Sequence, residues 1–102
     1  MPFAGGRYRF TRSMVDGAPA DPGVYALWEG EELIYYGCAA GLVITIQVAL
    51  LEHLSGRAGS CTQRATHYGW EICLDPLARE AELLAEHQAA FQRLPRCNRG
   101  RA

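Results

Sequence analysis

The residues with the clearest chemical potential in this chain are tyrosines that two short runs bring together. The runs are Gly23-Val24-Tyr25-Ala26-Leu27-Trp28 and Leu33-Ile34-Tyr35-Tyr36-Gly37. They flank a polar turn containing Gly30 and read as a β-hairpin. Alternation puts Val24, Ala26 and Trp28 on one face and Tyr25 and Leu27 on the other. A three-residue loop pairs Tyr25 with Tyr35, their Cβ atoms about 5 Å apart. A two-residue loop pairs it with Tyr36 instead. Either register sets two phenols beside Gly23 and Gly37, where the backbone can be approached closely. The same residues serve equally well as an aromatic pair that merely stabilises a hairpin.

A second candidate lies far along the chain. Asp75-Pro76 opens a helix, with Asp75 as N-cap and Pro76 in the first turn, and Pro95 bars its continuation. At about 100° per residue, Leu77, Ala81, Leu84 and Phe91 form an apolar arc. Glu80 falls inside that arc, whereas Glu82 and Glu86 fall opposite. A carboxylate aimed at the protein needs a partner. It is either an ion pair at the edge of the stripe, or a metal ligand or acid/base group.

The remaining elements must position these groups. Residues 8–15 have the composition of a strand, and 16–22, with Gly17, Pro19 and Pro22, form a loop. After small residues at 38–41, a helix is expected over about 45–54, stopped by Ser55-Gly56. On it Ala49 and His53 share a face. Residues 56–63 read as a polar loop. Residues 66–74 read as a third strand, with Gly69 marking a bulge.

The chain has 102 residues, enough for one domain with one core. No apolar run is long enough to span a bilayer and residues 1–10 lack a signal-peptide core, so the expected setting is cytoplasmic, away from membranes. Cys38, Cys61, Cys73 and Cys97 contain no C-x-x-C pair, and the expectation is four unbridged, mostly buried thiols. Net charge is −1, but its distribution is uneven. Arg7, Arg9 and Arg12 cluster at one end and Arg93, Arg96, Arg99 and Arg101 at the other, while all 11 acidic residues lie between. Such ends can bind phosphates through the guanidinium fork or act as solubilising tails.

Gly23-Val24-Tyr25 followed by Tyr35-Tyr36-Gly37 resembles the paired motif of the GIY-YIG nuclease superfamily. His53, Glu80 and Asn98 extend the resemblance in order, so that it covers 23–98 and leaves 1–22 as an N-terminal extension and 99–102 as a basic tail. The resemblance implies an α/β (α+β) domain with a small three-stranded antiparallel sheet flanked by helices. It also implies divalent-metal-dependent hydrolysis of phosphodiesters, with DNA favoured over RNA. Carried over, Tyr25 would deprotonate or orient water, and Tyr35 would support it and contact the phosphate. His53 would contact the nucleophile network or the phosphate. Glu80 would bind one Mg²⁺ or Mn²⁺, and Asn98 would fix the metal-side geometry. Arg57, Arg64, Arg96 and Arg99 are the candidate nucleic-acid contacts, and a homodimer is one way for so small a domain to gain affinity.

One departure from the family pattern is chemically serious. The family carries an arginine four residues before the histidine, and here that position is Ala49. Cys38 likewise stands where a basic residue is common. Loss of one donor to the transition state typically costs about 10²- to 10³-fold in rate. The resemblance therefore implies either an impaired nuclease or a module on the same fold that binds nucleic acid or a protein without cleaving.

Overall fold

A computed structural model describes residues 2–41 and 43–99. In chain order the elements are β1 (Tyr8–Arg9), α1 (Arg12–Val15), β2 (Gly23–Glu29), β3 (Glu32–Ala39), α2 (Ile46–Leu54), α3 (Ser60–Gln63), β4 (His67–Ile72) and α4 (Pro76–Phe91). The strands form one antiparallel sheet in the order β1-β4-β2-β3. The sheet thus has four strands rather than the expected three. The extra strand comes from the N-terminal extension, where Tyr8 and Arg9 pair with β4 and Thr11 then caps the short α1. The last of the basic tail, 100–102, lies outside the described residues.

The hairpin has a register that neither simple loop length gives. Glu29 pairs with Glu32 around Gly30-Glu31, and Gly30 takes the positive φ of 59° that this turn requires. Two-residue closure alone would set Tyr25 opposite Tyr36. Between Leu27 and Trp28, however, the pairing jumps from Tyr35 to Leu33 and skips Ile34. This bulge shifts the rest of the ladder by one residue, so Tyr25 faces Gly37 and Leu27 faces Tyr35. No such irregularity occurs at Gly69, which pairs with Ala26 in an unbroken ladder. Gly69 is needed instead for close approach: a Cβ there would sit 2.2 Å from the Gly6 carbonyl oxygen.

The central strand β2 is buried on both faces. One face carries Tyr25, Leu27, Tyr35 and Tyr68 and packs with Ile46 and Leu50 of α2, Phe10, Val15 and the bulge residue Ile34. Thr45 caps α2 by accepting from the Val48 N–H, and Ser55 with Gly56 ends it, as the sequence implies. The opposite face is covered by α4. Trp70 pairs with Tyr25 and joins its core, so the next residue, Glu71, points the other way, where Arg79 of α4 meets it.

Within α4, Asp75 and Pro76 act as expected, and Gln92 ends the helix in a left-handed conformation (φ 63°). The buried residue of the helix is Leu83, while Leu77 and Phe91 are exposed. The sheet-facing arc is therefore rotated by about a quarter turn from the one that Leu77 suggests. Glu80 remains inside it and half-buried, and Glu86, expected on the outer face, is half-buried as well. The rotation follows from Arg79. Its guanidinium donates to both Glu71 oxygens at 3.0 and 3.2 Å, and to Glu82 and the Pro2 carbonyl.

Burial alone would raise the Glu71 carboxyl. The Arg79 hydrogen bonds, the Ala4 N–H and the Arg79 charge outweigh it and hold the group below its ordinary value. A carboxylate with a depressed folded pKa stabilises the protein above its unfolded pKa, and that contribution is lost as pH falls through the folded value. Glu71→Gln should therefore cost about 1.5–3 kcal/mol at pH 7, read from urea midpoints. The gap from the parent should shrink as pH falls through the depressed folded pKa of Glu71, where the parent loses the charge as well.

Candidate active site

Three of the five residues carried over from the motif meet on the α2 face of the sheet. Tyr25 Oη and His53 Nε2 are hydrogen-bonded at 2.9 Å. The Tyr35 ring packs against both, with centroids 6.1 Å from Tyr25 and 5.0 Å from His53. The second imidazole nitrogen, Nδ1, is hydrogen-bonded to Thr62 Oγ1 at 2.7 Å. Thr62 belongs to α3, a helical turn within the stretch expected to be loop. It was not legible as a site residue, because its only sequence signal is an ordinary polar residue near a glycine.

The glycines of the motif have packing roles that follow from the register. Gly37 points to the phenol face, and a Cβ there would lie 2.5 Å from Tyr25 Cζ and Oη and 2.7 Å from Tyr35 Cε2. The two rings therefore lie over bare backbone. At Gly23 a Cβ would meet the Glu71 carbonyl oxygen at 2.2 Å and Ile46 Cδ1 at 2.7 Å, so this glycine lets α2 seat against β2.

The cluster is largely closed. Tyr25, Tyr35 and His53 are 4%, 7% and 6% exposed, so a polymer can reach only the rim of the rings unless the covering segment moves. Part of that cover is fastened covalently. Cys61 and Cys97 form a disulfide, which overturns the expectation of four unbridged cysteines; Cys38 and Cys73 are free thiols. The two partners are 36 residues apart and occur in no recognisable spacing, so only the fold reveals the pairing. Cys97 also packs on the core, and its N–H donates to the Ile34 carbonyl.

Asn98 sits next to that bridge on the outer edge of β3. Its Oδ1 accepts from the Tyr36 N–H at 2.9 Å and its Nδ2 donates to the Tyr36 carbonyl at 3.0 Å. The amide thus pairs like an additional strand residue and holds the backbone between Tyr35 and Gly37. Glu80 is on the first turns of α4, the helix that packs on the opposite face, so the sheet separates its backbone from the phenols. Glu80 is half-buried there. Among the described residues no group of three His, Cys, Asp or Glu could hold a metal.

The arginines are dispersed. Arg57 pairs with Glu52 at 3.6 Å on the surface, and Arg64 caps the end of α3. Arg96 is held by Glu29 and Glu32, and Arg99 donates to the Leu94 carbonyl. Arg96 and Arg99 also line a cleft of about 240 Å³ with Arg93, His87 and Phe91. Ala49 packs on the edge of the phenol core, one turn before His53. Among the described residues no helix is long and apolar enough to cross a membrane.

Compared with known proteins, the chain matches no family model and no curated protein.

Gly37→Ala should cost about 1–3 kcal/mol, because the added methyl must push the Tyr25 ring off its seat. Thermal unfolding measures the loss. The ring-current shifts of His53 should change with it, whereas Gly30→Ala, at an open turn, should leave them as they are.

Proposed function

We propose that this domain acts on phosphodiesters of nucleic acid in the manner of the GIY-YIG nucleases, DNA being the favoured substrate, with cleavage impaired by Ala49. The observation that carries this reading is the Tyr25–His53 hydrogen bond, with Tyr35 packed on both rings. Residues dispersed over the chain, and matched in order to that motif, become one polar cluster on one face. A phenol is a poor base at its ordinary pKa of about 10. An imidazole nitrogen in contact with it offers the proton a destination, so Tyr25 can in turn accept a proton from water. Tyr35 lies on the same face over Gly37 and can donate its O–H to a phosphate oxygen.

Glu80 would hold the Mg²⁺ or Mn²⁺ ion, which when bound supplies positive charge against the phosphate oxygens. The reading requires that carboxylate to reach the substrate around the β3 edge. β3 is the terminal strand of the sheet, with α4 on the face away from the phenols. Asn98 fixes the same edge through the Tyr36 backbone.

Two observations favour a second reading, a module that binds nucleic acid without cutting it. Ala49 removes the cation from the phenol face, and the rings themselves are more than nine-tenths buried. Plasmid nicking with Mg²⁺ or Mn²⁺ separates the two. The parent chain should nick slowly, and Ala49→Arg should raise the rate by about 10²-fold. Absence of nicking by both proteins, together with salt-sensitive DNA binding, would establish the second reading. In the Ala49→Arg background, Glu80→Ala should abolish nicking while Glu82→Ala retains it. The reverse pattern would remove Glu80 from the reading.

A further inference from the structure

We infer that Thr62 is a positioning residue that holds His53 as the Nδ1–H tautomer, leaving Nε2 to accept the proton of Tyr25. This rests on the reading in which Tyr25 acts on water. Both imidazole nitrogens are engaged, Nε2 with Tyr25 Oη at 2.9 Å and Nδ1 with Thr62 Oγ1 at 2.7 Å. A neutral imidazole has one N–H and one bare nitrogen, so one contact accepts a proton and the other donates. Which does which is decided by the relative acidity of the two partners. A phenol is far more acidic than an aliphatic alcohol, so Tyr25 is the better donor to a bare nitrogen. The alcohol oxygen is the more basic of the two and the better acceptor for an imidazole N–H. The low-energy arrangement is therefore Tyr25 Oη–H donating to Nε2, with Nδ1–H donating to Thr62 Oγ1. The tautomer of a histidine is set by the bond its other nitrogen makes.

The fold gives Thr62 little freedom to do anything else. It is 4% exposed and lies in α3, directly after Cys61, whose bridge to Cys97 ties this turn to the segment packed on β3. His53 is buried to a similar degree, so water does not compete freely for Nδ1. When the phenol proton moves to Nε2, the products are a Tyr25 phenolate and a His53 imidazolium whose Nδ1–H remains bonded to Thr62. Thr62 neither gains nor loses a proton, and it touches no substrate. Its contribution is to keep the accepting nitrogen pointed at the phenol.

Two-bond ¹H–¹⁵N correlation spectra of the full chain test this directly, with signals assigned through His67→Gln and His87→Gln. His53 should show a protonated Nδ1 and a bare Nε2 at neutral pH. Thr62→Ser should keep that pattern, and Thr62→Val should shift it towards Nε2–H. A parent spectrum with Nε2–H, or a Thr62→Val spectrum unchanged from the parent, overturns the inference. If Thr62→Val does not fold, the parent and Thr62→Ser spectra decide alone. In the nicking assay on the Ala49→Arg background, Thr62→Val should lower kcat by 10-fold or more with KM unchanged, and Thr62→Ser should restore it. If the spectra behave as expected but Ala49→Arg does not nick DNA, the phosphodiester reading fails and the role of Thr62 in setting the His53 tautomer stands.

Discussion

A single extra residue in β3 decides which tyrosine joins the cluster. Because side chains alternate along a strand, a one-residue change in register moves every later residue to the other face. The bulge at Ile34 makes that change between Leu27 and Trp28. Without it Tyr36 would share the face of Tyr25, and Tyr35 would point at α4. With it Tyr35 and Gly37 turn towards α2, and the bare backbone of Gly37 receives both phenol rings. Ile34 itself stays in the core on that side, so the bulge is fixed by burial.

The two faces of the sheet then have different physical characters. On the α2 side a buried phenol, imidazole and hydroxyl form a hydrogen-bonded chain within an apolar core. Such a chain must be fully satisfied to be tolerated, and no buried side-chain polar atom among the described residues lacks a partner. On the α4 side the fixed point is ionic. Arg79 ties Glu71 of β4, Glu82 and the N-terminal segment together, and it turns α4 so that Leu83 meets the sheet. Tyr36, left on that side, has its phenol pushed up by burial and by the Glu86 carboxylate. Of two adjacent tyrosines, one joins a polar cluster with an imidazole and the other lies among carboxylates that disfavour its ionisation.

Much of this was legible in the chain. The hairpin, the α2 and α4 helices with the Asp75 cap, and the third long strand follow from local signals. Those signals act over a few residues and are little changed by tertiary context. Three features were not legible. The bulge leaves no composition mark, because Ile34 looks like any strand residue. The rotation of α4 depends on where Glu71 stands, which a wheel drawn from α4 alone does not contain. The Cys61–Cys97 pairing depends on α3 and the C-terminal segment meeting, a juxtaposition without spacing rules. Of the five expected site residues, Tyr25, Tyr35 and His53 meet on one face, whereas Glu80 lies on the helix across the sheet and Asn98 binds the outer backbone of β3, and Thr62 emerged only from the fold.

The proposed phosphodiester reading has the two faces act together across the β3 edge, where Asn98 is bonded to the backbone. The most direct measurement is the anomalous signal of Mn²⁺ in crystals grown with a non-cleavable phosphodiester. The expected result is one ion on the Glu80 carboxylate, with the phosphate between it and the Tyr35 hydroxyl. Mn²⁺ on Glu82 or Asp75 with Glu80 bare, or a phosphodiester bound away from the phenols, would contradict it.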